Sequence, residues 1–150
     1  MANQLPTEIT MASQVGEIAT VIERLRSDPQ VSSRILGREA AFLIAMREAL
    51  MNAVIHGNRR DPSRKVYVRC NCEPDDSLLI SIRDEGDGFD PSSVPIPKDT
   101  GGDQRRGIHL MTSFMDEVQF RRNGTEVYMR MTGHQDPEQR GNLQIGDSGD

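Results

Sequence analysis

Between about Gly37 and His56 the chain carries a helical stretch whose centre, Ala40 to Met46, is apolar on nearly every side. A helix greasy all round must be covered all round, so this segment constrains the fold more than any other. The cover is supplied further on, where the hydrophobic period becomes two. Val66, Val68, Cys70 and Cys72 share one face of a strand, and Tyr67, Arg69 and Asn71 share the other. Glu73-Pro74-Asp75-Asp76 reads as a turn, after which Leu78, Ile80, Ile82 and Asp84 line one face of the next strand. Val118 and Phe120 alternate, Asn123-Gly124 carries the signature of a type I′ hairpin turn, and Thr125, Val127, Met129 and Met131 share a face. Helical spacing returns twice. Val15, Ile18, Ile22 and Leu25 predict a helix over 14–26 with Ser13 as N-cap, and Ile108, Met111 and Met115 predict a short one over 106–115. Glu8–Ala12 reads as a short strand, and Gly57 with Asn58 stops the long helix. The expected fold is α+β, a two-layer sandwich of a mostly antiparallel sheet with helices on one face.

A chain of 150 residues holds one ordinary domain, expected over 8–132. Residues 1–7 read as a loose N-terminus. Residues 133–150 read as a disordered tail, because Leu143 and Ile145 are its large aliphatics. With 18 basic and 23 acidic residues the formal charge is −5, which argues against a direct nucleic-acid binder. No apolar run approaches the ~20 residues of a membrane span, and the N-terminus lacks a secretory pattern. Aromatics are 4% of the chain, so the core must be aliphatic and methionine-rich. Cys70 and Cys72 read as reduced core thiols, which fits a cytoplasmic setting.

Several polar residues sit where apolar ones are expected. Asp84 continues the inward parity of Leu78, Ile80 and Ile82, and a buried carboxylate demands hydrogen-bond partners unless it has already turned outward. Thr125 shares the inward parity of Val127, so a carboxylate and a hydroxyl face one space, which suits a flat heterocycle with an exocyclic amino group. On the long helix Glu48 and Asn52 are one turn apart, about 6 Å. They form either a solvated stripe or a site in which the amide carbonyl ligates Mg²⁺ and the carboxylate accepts a proton. His56 reads as a residue favouring the helix C-terminus. Gly86 and Gly88 follow a strand directly and permit close approach of backbone to a ligand. Gly107 is expected to open a helix just after Arg105 and Arg106, making either an anion site or a pair of solvated arginines.

In chain order, Glu48-x-x-x-Asn52, Asp84-x-Gly86-x-Gly88, a long loop, Gly107 and Gly124-Thr125 resemble the GHKL (histidine-kinase-like) superfamily of ATP-binding domains. Within it the chain is similar to the bacterial anti-sigma-factor serine/threonine kinases. Glu48–Gly57 resembles the N-box, Asp84–Gly88 the first glycine box and Gly124–Val127 the last motif; the likeness spans roughly residues 8 to 132. The resemblance implies a Bergerat-type ATP-binding fold with ATP and Mg²⁺ as cofactors. It implies Glu48 as general base and Asn52 as the Mg²⁺ ligand. It further implies Asp84 as acceptor for the adenine amino group, Gly88 near the base, Thr125 supporting that contact and Gly107 against the phosphates, with Gly86, Arg105 and Arg106 also among the cofactor-binding residues. Arg105 stands where the second glycine box usually has a glycine. The implied activity is phosphorylation of a serine on an anti-sigma-factor antagonist, with sequestration of a sigma factor; a homodimer is compatible with it. The alternative is an ATP-binding module that regulates a partner by contact without transfer.

Overall fold

Why these segments fold as they do is clearest in the sheet. A computed structural model describes residues 6–90 and 103–132. Five strands, β1 (Thr7–Ala12), β2 (Lys65–Cys72), β3 (Leu78–Arg83), β4 (Glu117–Arg121) and β5 (Glu126–Met131), lie in the order β1-β2-β3-β5-β4. Every neighbouring pair is antiparallel. Register carries one apolar row across the sheet: Ile9 opposes Val68, Val68 opposes Ile82, Ile82 opposes Val127, and Val127 opposes Phe120. Because strand residues alternate in facing, the opposite side is polar. There the Arg83 guanidinium stacks 4.6 Å above the Tyr67 ring and that of Arg121 4.2 Å above Tyr128.

The helices form the second layer: α1 (Ile18–Arg26), α2 (Pro29–Arg34), α3 (Glu39–Met51) and α4 (Asp103–Phe114). Phe42, Ala45, Met46, Ala49 and Leu50 of α3 are all but inaccessible to solvent and belong to the same core as the sheet's apolar row. The methionine-rich core expected from composition is present, with Met11, Met46, Met111, Met115, Met129 and Met131 all buried. Burying each such side chain fully contributes about 1.5–3 kcal/mol. Both cysteines are free, and burial pushes the Cys70 thiol up to about 12.

Several boundaries differ from the sequence expectations. Ser13 does not cap a helix. A 3₁₀ turn (Val15–Glu17) precedes α1, and the Ser13 hydroxyl is buried and donates to Arg64 O at 3.0 Å. The helix α2 was not expected; its N-cap is Asp28, whose Oδ1 accepts from Gln30 N–H at 2.9 Å, with Pro29 at the first position. Thr7 lies inside β1 and its hydroxyl donates to Asp28 Oδ2 at 2.6 Å, tying the strand to that cap. The long helix is not uniformly α: its end, Asn52–Gly57, widens into a π-helical turn, with Asn58 N–H reaching Ala53 O at 2.8 Å. Gly107 does not open α4. It is the fifth residue of a helix that begins at Asp103, beyond the first turn whose N–H groups lack intrahelical acceptors. The β4–β5 hairpin has the positive φ of a type I′ turn at Asn123 and Gly124, with Arg122 left-handed as well, so four residues join the strands. Residues 133–150 and 1–5 lie outside the described residues.

Candidate functional site

The polar stripe on α3 faces α4. Glu48 is one-fifth exposed, and its Oε2 lies a loose 3.8 Å from Arg47 Nη1. Gly107 of α4 comes so close that a Cβ there would stand 3.0 Å from Glu48 Oε1 and 3.5 Å from Asn52 Oδ1. The missing side chain is what allows this approach. Asn52 Nδ2 is buried and has no hydrogen-bond partner among the described residues. A buried amide left unpaired costs about 1–3 kcal/mol, so Asn52 Nδ2 can take an acceptor that none of the described residues supplies.

Asp84 stands just past β3. Its N–H donates to Thr125 O at 2.9 Å, and its Oδ1 accepts from Gly86 N–H at 2.8 Å. Burial raises the carboxyl pKa, opposed by the Gly86 hydrogen bond and the charge of Arg64. Gly57, the last residue of the π-helical turn, abuts this carboxylate; a Cβ at residue 57 would overlap it. A Cβ on Gly86 would overlap Gly57 O, and one on Gly88 (φ +86°) would overlap Asn123 O. These glycines therefore let three backbone segments converge around one carboxylate.

Between the helices and the sheet lies a cavity of about 350 Å³ bordered by Asn52, Gly57, Asp84, Gly88 and Thr125, with Ile82, Met111 and Val127 among its apolar walls. That is the size and chemistry of a small-ligand site. The expected residues are thus partly reassigned. Asn52, Asp84, Gly88 and Thr125 border the cavity, while Glu48 stands beside Gly107 and outside the lining. Gly86 packs against Gly57 instead of lining the space. The Thr125 hydroxyl donates to Arg122 O at 2.8 Å, so its proton serves the hairpin and only its oxygen's acceptor capacity is left for a ligand. Arg105 and Arg106 stand on α4 outside the lining; their neighbour Gln104 borders the cavity, and so does Arg59. Arg59 and Arg60 are both left-handed, a conformation costing roughly 1–2 kcal/mol each for such residues.

Metal binding is tested by the same geometry. Among the described residues, no cluster of three or more His, Cys, Asp and Glu is placed to hold a cation. A lone amide carbonyl such as Asn52 Oδ1 fits Mg²⁺, which keeps several waters and takes further oxygens from phosphates.

The profile of the histidine kinase-like ATPase domain matches residues 10–131. The chain belongs to this family. Among curated family relatives, the anti-sigma F factor of Oceanobacillus iheyensis is 37% identical over 90 residues, covering 55% of this chain and 61% of that protein. That of Geobacillus sp. is 34% identical over 136 residues, covering 85% and 83%. The serine-protein kinase RsbW of Bacillus subtilis is 34% identical over 101 residues, covering 59% and 60%. Thus the chain spans about three-fifths of two of these relatives and 83% of the third. A solved structure of RsbU and RsbW domains from Mycobacterium tuberculosis shares the fold at TM-score 0.61 and 19% identity, over 87% of this chain and 32% of that one. The histidine kinase-like ATPase fold expected from the ordered motifs is therefore the fold observed. No helix among the described residues is long and apolar enough to cross a membrane.

Proposed function

We propose that this chain is an ATP-dependent protein-serine/threonine kinase that acts as an anti-sigma factor in the bacterial cytoplasm. It phosphorylates a serine on an anti-sigma-factor antagonist and sequesters a sigma factor. The observation that carries the reading is that Asn52 and Asp84, from two layers of the fold, border one cavity, while Glu48 and the Asn52 amide, unpaired among the described residues, meet at Gly107. Phosphoryl transfer asks a protein for positioning and charge stabilisation more than for covalent chemistry, and these residues offer both. The Asp84 carboxylate accepts from the adenine amino group, with Gly88 giving the base room. The Asn52 carbonyl holds Mg²⁺, which neutralises charge on the phosphates when bound. Glu48 takes the proton of the serine hydroxyl as its oxygen bonds to the γ-phosphorus and the bond to ADP breaks. The curated relatives named as anti-sigma F factor and serine-protein kinase support this activity.

Labelled ATP with a candidate antagonist tests the proposal. Label is expected on an antagonist serine, and Glu48→Gln is expected to abolish transfer while largely sparing ATP binding. Native-rate transfer by Glu48→Gln removes the general-base role. ATP binding with no transfer to any antagonist favours the contact-only module instead.

A further inference from the structure

Asn58, directly after the π-helical turn, is completely buried yet polar. Its amide is used on both sides. Nδ2 donates to Ser13 Oγ at 2.6 Å and to Lys65 O at 2.9 Å, and Oδ1 accepts from Glu85 N–H at 2.7 Å. Its own N–H closes the π-helical turn onto Ala53 O at 2.8 Å. One side chain thus joins the end of β1, the start of β2 and the loop after β3 to the turn that carries Gly57. The residue it grips on that loop is the immediate neighbour of Asp84. With Thr125 O holding Asp84 N–H, the peptide groups on both sides of Asp84 are pinned. Glu85 then fastens the loop to β2, accepting from Lys65 N–H at 2.8 Å and from the Tyr67 hydroxyl at 2.7 Å.

We infer that Asn58 is a positioning residue for purine recognition: through the Glu85 amide it sets where the Asp84 carboxylate stands against Gly57. This rests on Asp84 as the acceptor for the adenine amino group. Adenine presents a donor there and guanine a carbonyl, so preference for ATP over GTP reports the carboxylate's placement. Asn58 is not among the residues that border the cavity.

The test compares Asn58→Ala, Ser13→Ala and Asp84→Asn with the native full chain, measuring ATP and GTP affinity by calorimetry and KM and kcat for transfer. Loss of one well-placed hydrogen bond to the base is worth about tenfold in affinity. Asn58→Ala is expected to raise KM for ATP about tenfold and to narrow the ATP:GTP preference, with kcat per folded molecule nearly unchanged. Ser13→Ala removes one of the amide's three partners and is expected to shift the same quantities in the same sense by roughly threefold. A residue that only stabilised the fold would lower the active fraction and leave KM and base preference alone; that result with Asn58→Ala overturns the inference. Should Asn58→Ala not fold, an unchanged KM and preference in Ser13→Ala overturns it equally. Asp84→Asn separates the two layers. If it keeps native ATP:GTP preference, the reading of Asp84 fails; if it loses preference while the other variants keep it, only the role of Asn58 fails.

Discussion

Replacing Gly107 with alanine should make the protein sturdier and slower at once. The new methyl group would sit 3.0 Å from Glu48 Oε1 and about as close as ordinary contact allows to the Asn52 amide, at 3.5 and 3.6 Å. The nearest atom is the tip of a flexible side chain, so the clash is relieved by moving Glu48 a few tenths of an ångström. Stability therefore gains nearly the full helix-propensity difference between glycine and alanine, about 1 kcal/mol in a helix interior. For a domain of this size that raises Tm by about 3 °C. Catalysis moves the other way, because the displaced group is the carboxylate proposed to take the serine proton. A 1 Å misplacement can cost about a hundredfold in rate, so a smaller shift should lower kcat about tenfold. Thermal unfolding monitored by circular dichroism and a steady-state transfer assay read the two effects separately. Native kcat in a folded Gly107→Ala protein would refute the placement of Glu48 beside this glycine.

Other expectations follow from the same geometry. Asp84→Asn should weaken ATP binding yet raise apo-protein stability at neutral pH, since burial raises this carboxyl's pKa. A raised folded-state pKa means that ionisation costs stability as pH climbs through it, so the variant's advantage should vanish as the buffer is acidified and Asp84 protonates; equal pH profiles for the two proteins would contradict this. Gly86→Ala should destabilise by several kcal/mol in urea unfolding, because its Cβ meets the backbone oxygen of Gly57, which cannot swing aside. Cys70, with its thiol held up at about 12, should resist alkylation at neutral pH until the chain unfolds; rapid labelling of the native protein would disprove its burial.

The sheet was legible because alternation is a local signal. Val66, Val68 and Cys70, and Leu78, Ile80 and Ile82, announce a buried face from spacing alone, and that face is the one observed. Glu48, Asn52 and Asp84 were legible because each breaks an apolar pattern. What escaped depends on partners far away in sequence. Ser13 looked like a helix cap, a local role, but its partners are Arg64 and Asn58. Asn58 looked like a helix stop, and nothing nearby reveals that Glu85, 27 residues on, hangs from it. The helix α2 has six residues, with Val31 its one buried member, too short for a period; Asp28-Pro29 was the readable clue. The place of Gly107 in its helix was misjudged because glycine gives no sign of where a helix starts; the start at Asp103 sets it a turn further in, against Glu48 of the neighbouring helix.

The widened turn at Asn52–Gly57 has a consequence for how this region tolerates change. Regular α winding would carry a residue five steps beyond Asn52 about 140° around the axis, away from the cavity. The broader winding takes up one surplus residue, so Gly57 still arrives beside Asp84. A one-residue deletion between them that restored ordinary winding would leave the glycine four steps on, about 40° round, still on the correct side. A methyl group on that glycine has nowhere to go. This corner of the fold is forgiving of length and intolerant of bulk.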